Sequence, residues 1–218
     1  MRFRRTLLLV TAVVLTTTGA ARGAETPAWH LATSLSAGAM TPDRSLADYR
    51  WDTRPTSLFS VQALAVRGRV AGGLRMSRWS TTQGTGLQDV VGDPTVRMTQ
   101  YDLVGQVRVV DFLGFELWGT VMGGLVGLAY TPDQVVIPGA GPGGDITVDY
   151  APVNETSLGI GLEIKRELAR WLVASLVAEQ SRFSLDTYHR RGDEIVAERQ
   201  AFANWSLRLQ VSWILDLG

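Results

Sequence analysis

The chain closes with NWSLRLQVSWILDLG, residues 204–218. Taking every second residue separates two sets. Trp205, Leu207, Leu209, Val211 and Trp213 form one; Asn204, Ser206, Arg208, Gln210 and Ser212 form the other. Strict alternation is the mark of a half-buried β-strand, because successive side chains point to opposite faces of a sheet. Here an apolar face bounded by two tryptophans is backed by a face that carries an arginine. The fold turns on which solvent each face meets.

Seven other segments extend the pattern. Trp29, Leu31, Leu35 and Ala37 alternate with His30, Ser34 and Ser36; Phe59, Val61, Ala63 and Ala65 with Ser60 and Gln62. Val70, Leu74 and Met76 alternate with Arg69, Arg75 and Ser77. Tyr101, Leu103, Val107 and Val109 alternate with Asp102, Gln106 and Arg108, and Leu158, Ile160, Leu162 and Ile164 with Gly159, Gly161, Glu163 and Lys165. Two stretches read as strands from their neighbours more than from their own pattern. Phe115 to Ala129 is apolar on both faces, with Glu116 and Thr120 its polar members, and Trp171 to Phe183 sets Val173 and Val177 beside Ser175 and Glu179.

The connections alternate in length. Tight ones fall at Arg67–Gly68, at 110–114 and at 166–170; long ones, rich in Gly, Pro, Asp and Thr, fall at about 40–56, 80–95, 131–154 and 186–200. A two-residue turn pairs Val66 with Arg69, and a five-residue turn pairs Lys165 with Trp171. Both pairings keep the faces consistent, which a one-residue slip would destroy. The expectation is an all-β protein, an eight-stranded antiparallel up-and-down transmembrane β-barrel.

In such a barrel the apolar face meets lipid and the charged face points inward, since Arg or Lys on the lipid side costs about 2–4 kcal/mol at the midplane. The expected interior polar network is Arg69, Arg75, Asp102, Arg108, Glu116, Glu163, Lys165, Glu179 and Arg208, joined by Gln62, Gln106, Asn204 and Gln210. Eight strands enclose a space that side chains can fill, so the reading is a packed polar plug. Trp205 and Trp213, roughly 26 Å apart along the strand, are expected at the two membrane interfaces, where amphipathic rings are favoured.

The first residues, MRFRRTLLLVTAVVLTTTGAARG, have the basic, apolar and small-residue layout of a secretory signal peptide at 1–23, leaving 24–218 as the barrel domain. Losing Arg2, Arg4, Arg5 and Arg22 leaves 17 basic residues against 21 acidic ones, so no nucleic-acid face is implied. The chain has no cysteine and two histidines, which leaves out disulfide scaffolds and thiolate metal sites. No cofactor, metal or catalytic residue is expected.

With its leader, eight alternating strands, alternate long loops and terminal strand, the chain resembles the small outer-membrane β-barrel proteins of Gram-negative envelopes, including the transmembrane domain of outer membrane protein A. The resemblance implies a monomer in the outer membrane, surrounded by outer-membrane lipid and lipopolysaccharide and assembled by the barrel assembly machinery. It implies a structural or surface-interaction role through four extracellular loops. Such barrels usually end on an aromatic residue, whereas here Gly218 is last and Trp213 stands five places earlier.

Three rivals use the same residues. A soluble lipocalin-like carrier barrel would invert the faces. A single transmembrane helix over 112–131 would use the spacing Gly119, Gly123, Gly127 for helix contacts. A lipid-modifying barrel enzyme would need a histidine beside a serine and an acid; His189, near Ser184, Asp186 and Glu194, is the nearest approach to one, and His30 lies at the short-turn end of strand one. Arg191-Gly192-Asp193 matches a cell-adhesion tripeptide by coincidence, and GAGPGG at 139–144 reads as a flexible loop.

Overall fold

The computed structural model describes residues 28–84, 93–141, 144–191 and 194–216; the side chains of 138–141, 188–191 and 194–196 are outside that description. The expected signal peptide, the side chains of His189 and Glu194, the Gly192-Asp193 pair and Gly218 fall beyond it. Among the described residues ten strands form: β1 (His30–Thr41), β2 (Thr56–Arg67), β3 (Val70–Thr82), β4 (Thr95–Phe112), β5 (Phe115–Thr131), β6 (Gln134–Gly141), β7 (Gly144–Asp149), β8 (Val153–Ala169), β9 (Leu172–Arg191) and β10 (Glu194–Asp216). A 3-10 helix, η1 (Arg44–Tyr49), lies between β1 and β2.

Eight of the strands close a barrel in the order β1-β10-β9-β8-β5-β4-β3-β2, every neighbour antiparallel. The seam pairs the first strand with the last, from His30↔Asp216 to Thr41↔Trp205. Closure leaves no open edge, so the backbone groups of the wall are bonded strand to strand, as a membrane requires.

The faces are those the alternation gives. Leu209 and Leu103 are 70% and 69% exposed on the outside, while Arg208 and Asp102, the residues next to them in the chain and on the other face, are 3% and 2% exposed. A lipocalin-like barrel has the reverse polarity. The segment 112–131 is strand rather than helix, and no helix among the described residues is long and apolar enough to cross a membrane.

The turns differ from the sequence reading in detail. Val66 pairs with Ala71 instead of Arg69, because the turn is Gly68–Arg69 with Gly68 at φ 60°, a conformation glycine adopts without strain. Lys165 pairs with Ser175 instead of Trp171: β8 runs on to Ala169, and a bulge at Leu168 leaves Arg170–Trp171 as the turn. The partners moved by two and four residues, both even, so every side chain kept its face. Two connections expected as loops carry strand. Residues 131–154 contain the hairpin β6–β7, and 186–200 is a continuation of β9 and β10, paired to Arg191↔Glu194.

Candidate functional site

The chemistry of this molecule is concentrated inside the barrel. Odd residues of β3, β8 and β9 and even residues of β4 and β10 point inward over most of their length. They bring Arg75, Glu163, Lys165, Glu179, Asp102 and Arg208 together in two adjoining clusters. Arg75 donates through Nη1 to both oxygens of Glu179, at 2.7 and 2.8 Å, and through Nη2 to Asp102 Oδ2 at 2.8 Å. Arg208 Nη2 reaches Glu179 Oε1 at 2.8 Å. Glu179 therefore bridges two guanidinium groups. Geometry of this fork type is what makes arginine suited to buried carboxylates.

A second carboxylate centre lies one step nearer the short turns. Glu163 accepts from Ser175 Oγ at 2.7 Å, Gln106 Nε2 at 2.8 Å and Gln210 Nε2 at 3.0 Å, and Lys165 Nζ stands 3.4 Å away. The lysine also donates to Gln106 Oε1 at 3.0 Å and lies 4.2 Å over the Trp118 ring. Gln100 Nε2 donates to Asp102 Oδ1 at 2.9 Å. The six charged groups are three positive and three negative. Buried ions need that balance, since an unpaired one is strongly destabilising.

Two glycines make the room. A Cβ on Gly161 would stand 2.4 Å from Glu179 Cγ, and one on Gly38 would stand 2.1 Å from the Leu207 carbonyl oxygen and 2.6 Å from Arg208 Cβ. Their missing side chains let the ionic pair lie flat against the wall.

One apolar cluster caps the ions on the long-connection side, and a smaller one stands beside them. Towards the long connections Met40, Leu46, Trp51, Leu58, Trp79, Val96, Met98, Val126, Leu128, Phe183 and Phe202 form one buried cluster. Leu46 of η1 is its lid. Asp43 fastens that helix: its carboxylate accepts from Ser45 N at 2.9 Å and from Ala203 N of β10 at 2.7 Å, and its own N–H donates to Asn204 Oδ1 at 3.0 Å. Burial would raise the Asp43 pKa, but these bonds and the charge of Arg182 outweigh it and hold the carboxyl below the usual range. Towards the short turns Ala32, Leu64, Ala71, Val104, Trp118 and Met122 form a smaller cluster. Below it a mouth of about 310 Å³ opens, with Glu116, Lys165 and Glu167 among its lining.

No protein-family model and no curated protein sequence matches the chain. Among solved structures, neisserial surface protein A is similar over 85% of this chain and 96% of its own length, with a TM-score of 0.50 at 5% identity. This chain has the fold of the small outer-membrane β-barrels. The outer membrane protein AlkL, solved in DMPC bilayers, covers 92% of this chain and 95% of itself at TM-score 0.48 and 15% identity. Ail, the attachment invasion locus protein of Yersinia pestis, covers 88% and 100% at TM-score 0.42 and 11% identity.

As an outer-membrane barrel the molecule has the belt its fold needs. At Leu74 and Met76 on β3, Leu158–Ile164 on β8 and Leu207–Val211 on β10, the outward residues are uncharged and large apolar side chains are exposed. Trp205 and Trp213 both face outward, 57% and 38% exposed, at opposite ends of the belt. At the short-turn edge Arg67 stacks on Trp29 at 5.3 Å and Arg166 on Phe115 at 4.9 Å, so cations and rings share the interface.

Of the nine residues expected in the interior network, five are buried at the centre, and Lys165, partly buried, adjoins them. Arg108 and Glu116 pair at 2.7 Å in the short-turn mouth, partly exposed. Arg69 is a correction: it sits in the β2–β3 turn and is exposed. The rule that paired residues share a face held, but the turn moved by one and carried Arg69 out of the wall. The uniform polar plug is also a correction, because two buried apolar clusters share the lumen with the ions. The inward apolar residues had a signal: Phe202 is in phase with Asn204, and Trp118, Met122, Val126 and Leu128 with Thr120. His30 lies at the short-turn end of β1, its Nδ1 2.6 Å from Asp216 Oδ1. No cluster of three or more His, Cys, Asp or Glu poised for a metal occurs among the described residues.

Proposed function

We propose that the protein is a closed, non-enzymatic outer-membrane barrel that works through the hairpins at its long-connection end, which face the cell exterior. The apolar cluster that fills the lumen on the long-connection side carries this reading. Leu46, Phe202, Val96 and Met98, all fully buried, pack across the barrel above the ionic centre, leaving side chains where a channel would run. The other support is the reach of β9 and β10. The outward apolar run on β9 gives way at Gln180, and the strand continues paired to Arg191, about 36 Å further along the strand at roughly 3.3 Å per residue.

That projection is braced at its base. Arg199 bonds Asp186 at 3.1 Å across the hairpin and also pairs with Glu155 of β8. Tyr49 of η1 donates to Gln200. A braced hairpin is a suitable platform for binding a surface partner, since little ordering is left to be done on contact.

Detergent-extracted membranes run by electrophoresis with and without boiling test the barrel, which should migrate differently in its folded and unfolded forms. The refolded protein in planar bilayers should give no conductance steps; steady ion flow would overturn the closed lumen. Expression should leave lipid A and phospholipid profiles unaltered. A changed lipid profile, reversed by His189→Ala, would instead establish a lipid-modifying enzyme.

A further inference from the structure

The outer surface of β3 and β4 carries a feature that neither the lumen nor the hairpins explain. Arg78 pairs with Thr99 and Arg97 with Ser80. The two arginines are therefore diagonal neighbours on the outward face, and such positions lie roughly 7–8 Å apart. Both are exposed, and among the described residues neither has a partner, in contrast to Arg67, Arg166 and Arg199. Like charges side by side on one face are unfavourable, so this pair calls for an anion.

Directly below them the lipid-facing surface begins. The next outward pairs along the same two strands are Met76↔Tyr101 and Leu74↔Leu103. A groove of about 480 Å³ opens there on the outside of the wall, lined in part by Leu74, Met76, Tyr101, Leu103 and Leu125. Its floor is at Gly123, which lies in register between Leu103 and Leu158. The missing side chain between two leucines leaves a trough.

We propose that Arg78, Arg97 and this groove bind one phosphate-bearing lipid of the leaflet nearer the long connections. The phosphate takes charge-assisted hydrogen bonds from the two guanidinium groups, and an acyl chain lies along Gly123. A free anion leaves the groove unfilled, and an uncharged lipid leaves the arginines uncompensated; a phosphorylated lipid satisfies both. Arg182, which also faces outward on β9, lies between Ala203 and Leu158 with no second arginine beside it, and serves as the control. The proposal does not depend on what the hairpins bind.

The test uses the whole mature barrel, refolded into neutral detergent, with folding checked by its shift on boiling. Native mass spectrometry reads the binding of phosphatidic acid, of diacylglycerol with the same chains, and of inorganic phosphate. The native protein should retain one phosphatidic acid. Arg78→Gln with Arg97→Gln should weaken it at least roughly tenfold, as loss of charge-assisted bonds implies, while Arg182→Gln leaves it within about twofold. Gly123→Leu, whose Cβ meets only the Leu158 side chain at 3.3 Å and the Ser157 carbonyl oxygen at 3.9 Å, should also weaken phosphatidic acid. Should that variant not fold, the exposed arginine variants decide the matter alone. Equal retention by the native and double-arginine proteins would overturn the site. Diacylglycerol binding as tightly as phosphatidic acid would overturn the role of the arginines, and inorganic phosphate binding as tightly would overturn the lipid.

Discussion

Glu179 illustrates what a single residue does when it is shared. Its carboxylate answers both Arg75 and Arg208, and all three are buried. Glu179→Gln removes the common counter-charge and leaves two buried cations facing Asp102 and Glu163. Breaking a buried pair typically costs about 3–5 kcal/mol, to be read as a lowered urea midpoint for the barrel in lipid vesicles. Glu116→Gln removes a carboxylate from the half-open mouth, and there about 1 kcal/mol or less is expected. Gly161→Ala acts on the same centre without touching a charge. The new methyl would overlap the stem of Glu179 and push it off its arginines, lowering stability by about 1–3 kcal/mol. A cost for Glu179→Gln no larger than that for Glu116→Gln would refute the bridging role.

At the scale of elements, η1 depends on Asp43. Its folded carboxyl titrates below the ordinary range, so its stabilisation is complete above about pH 4 and is lost as pH falls through the lowered folded value. Hydrogen exchange at the Ser45 and Ala203 amides, taken relative to the intrinsic rate at each pH, should speed up on acidification in that window. Asp43→Ala, at about 1 kcal/mol for a lost cap, should speed it at neutral pH too. Strands with alternating faces were legible in the sequence because period two shows directly in residue order. β5 could be read only from its neighbours, since Trp118, Met122, Val126 and Leu128 point inward and are as apolar as Val121 and Leu125 pointing out. The hairpin β6–β7 hid behind glycine and proline, which mark turns locally and say little about pairing further off. The ionic residues were legible by phase, but their partners were not: which carboxylate meets Arg75 depends on register and side-chain reach across three strands.

For the whole molecule, the decisive quantity is the contrast between an apolar outside and a balanced inside. Leu209→Arg places a cation on the middle of the outer face and should cost about 2–4 kcal/mol when unfolding is measured in lipid bilayers. Leu209→Ala removes apolar area without adding charge and should cost less. Equal costs would mean that hydrocarbon is not the solvent of that face. The seam adds a topological consequence. Because His30 stands opposite Asp216, a short linker could join them and new termini could be opened at Arg170–Trp171, a turn exposed at the same mouth. Ring closure cares about which strands are neighbours and not about which is synthesised first, so such a circular permutant should assemble the same cylinder, with its strands entering in a rotated order.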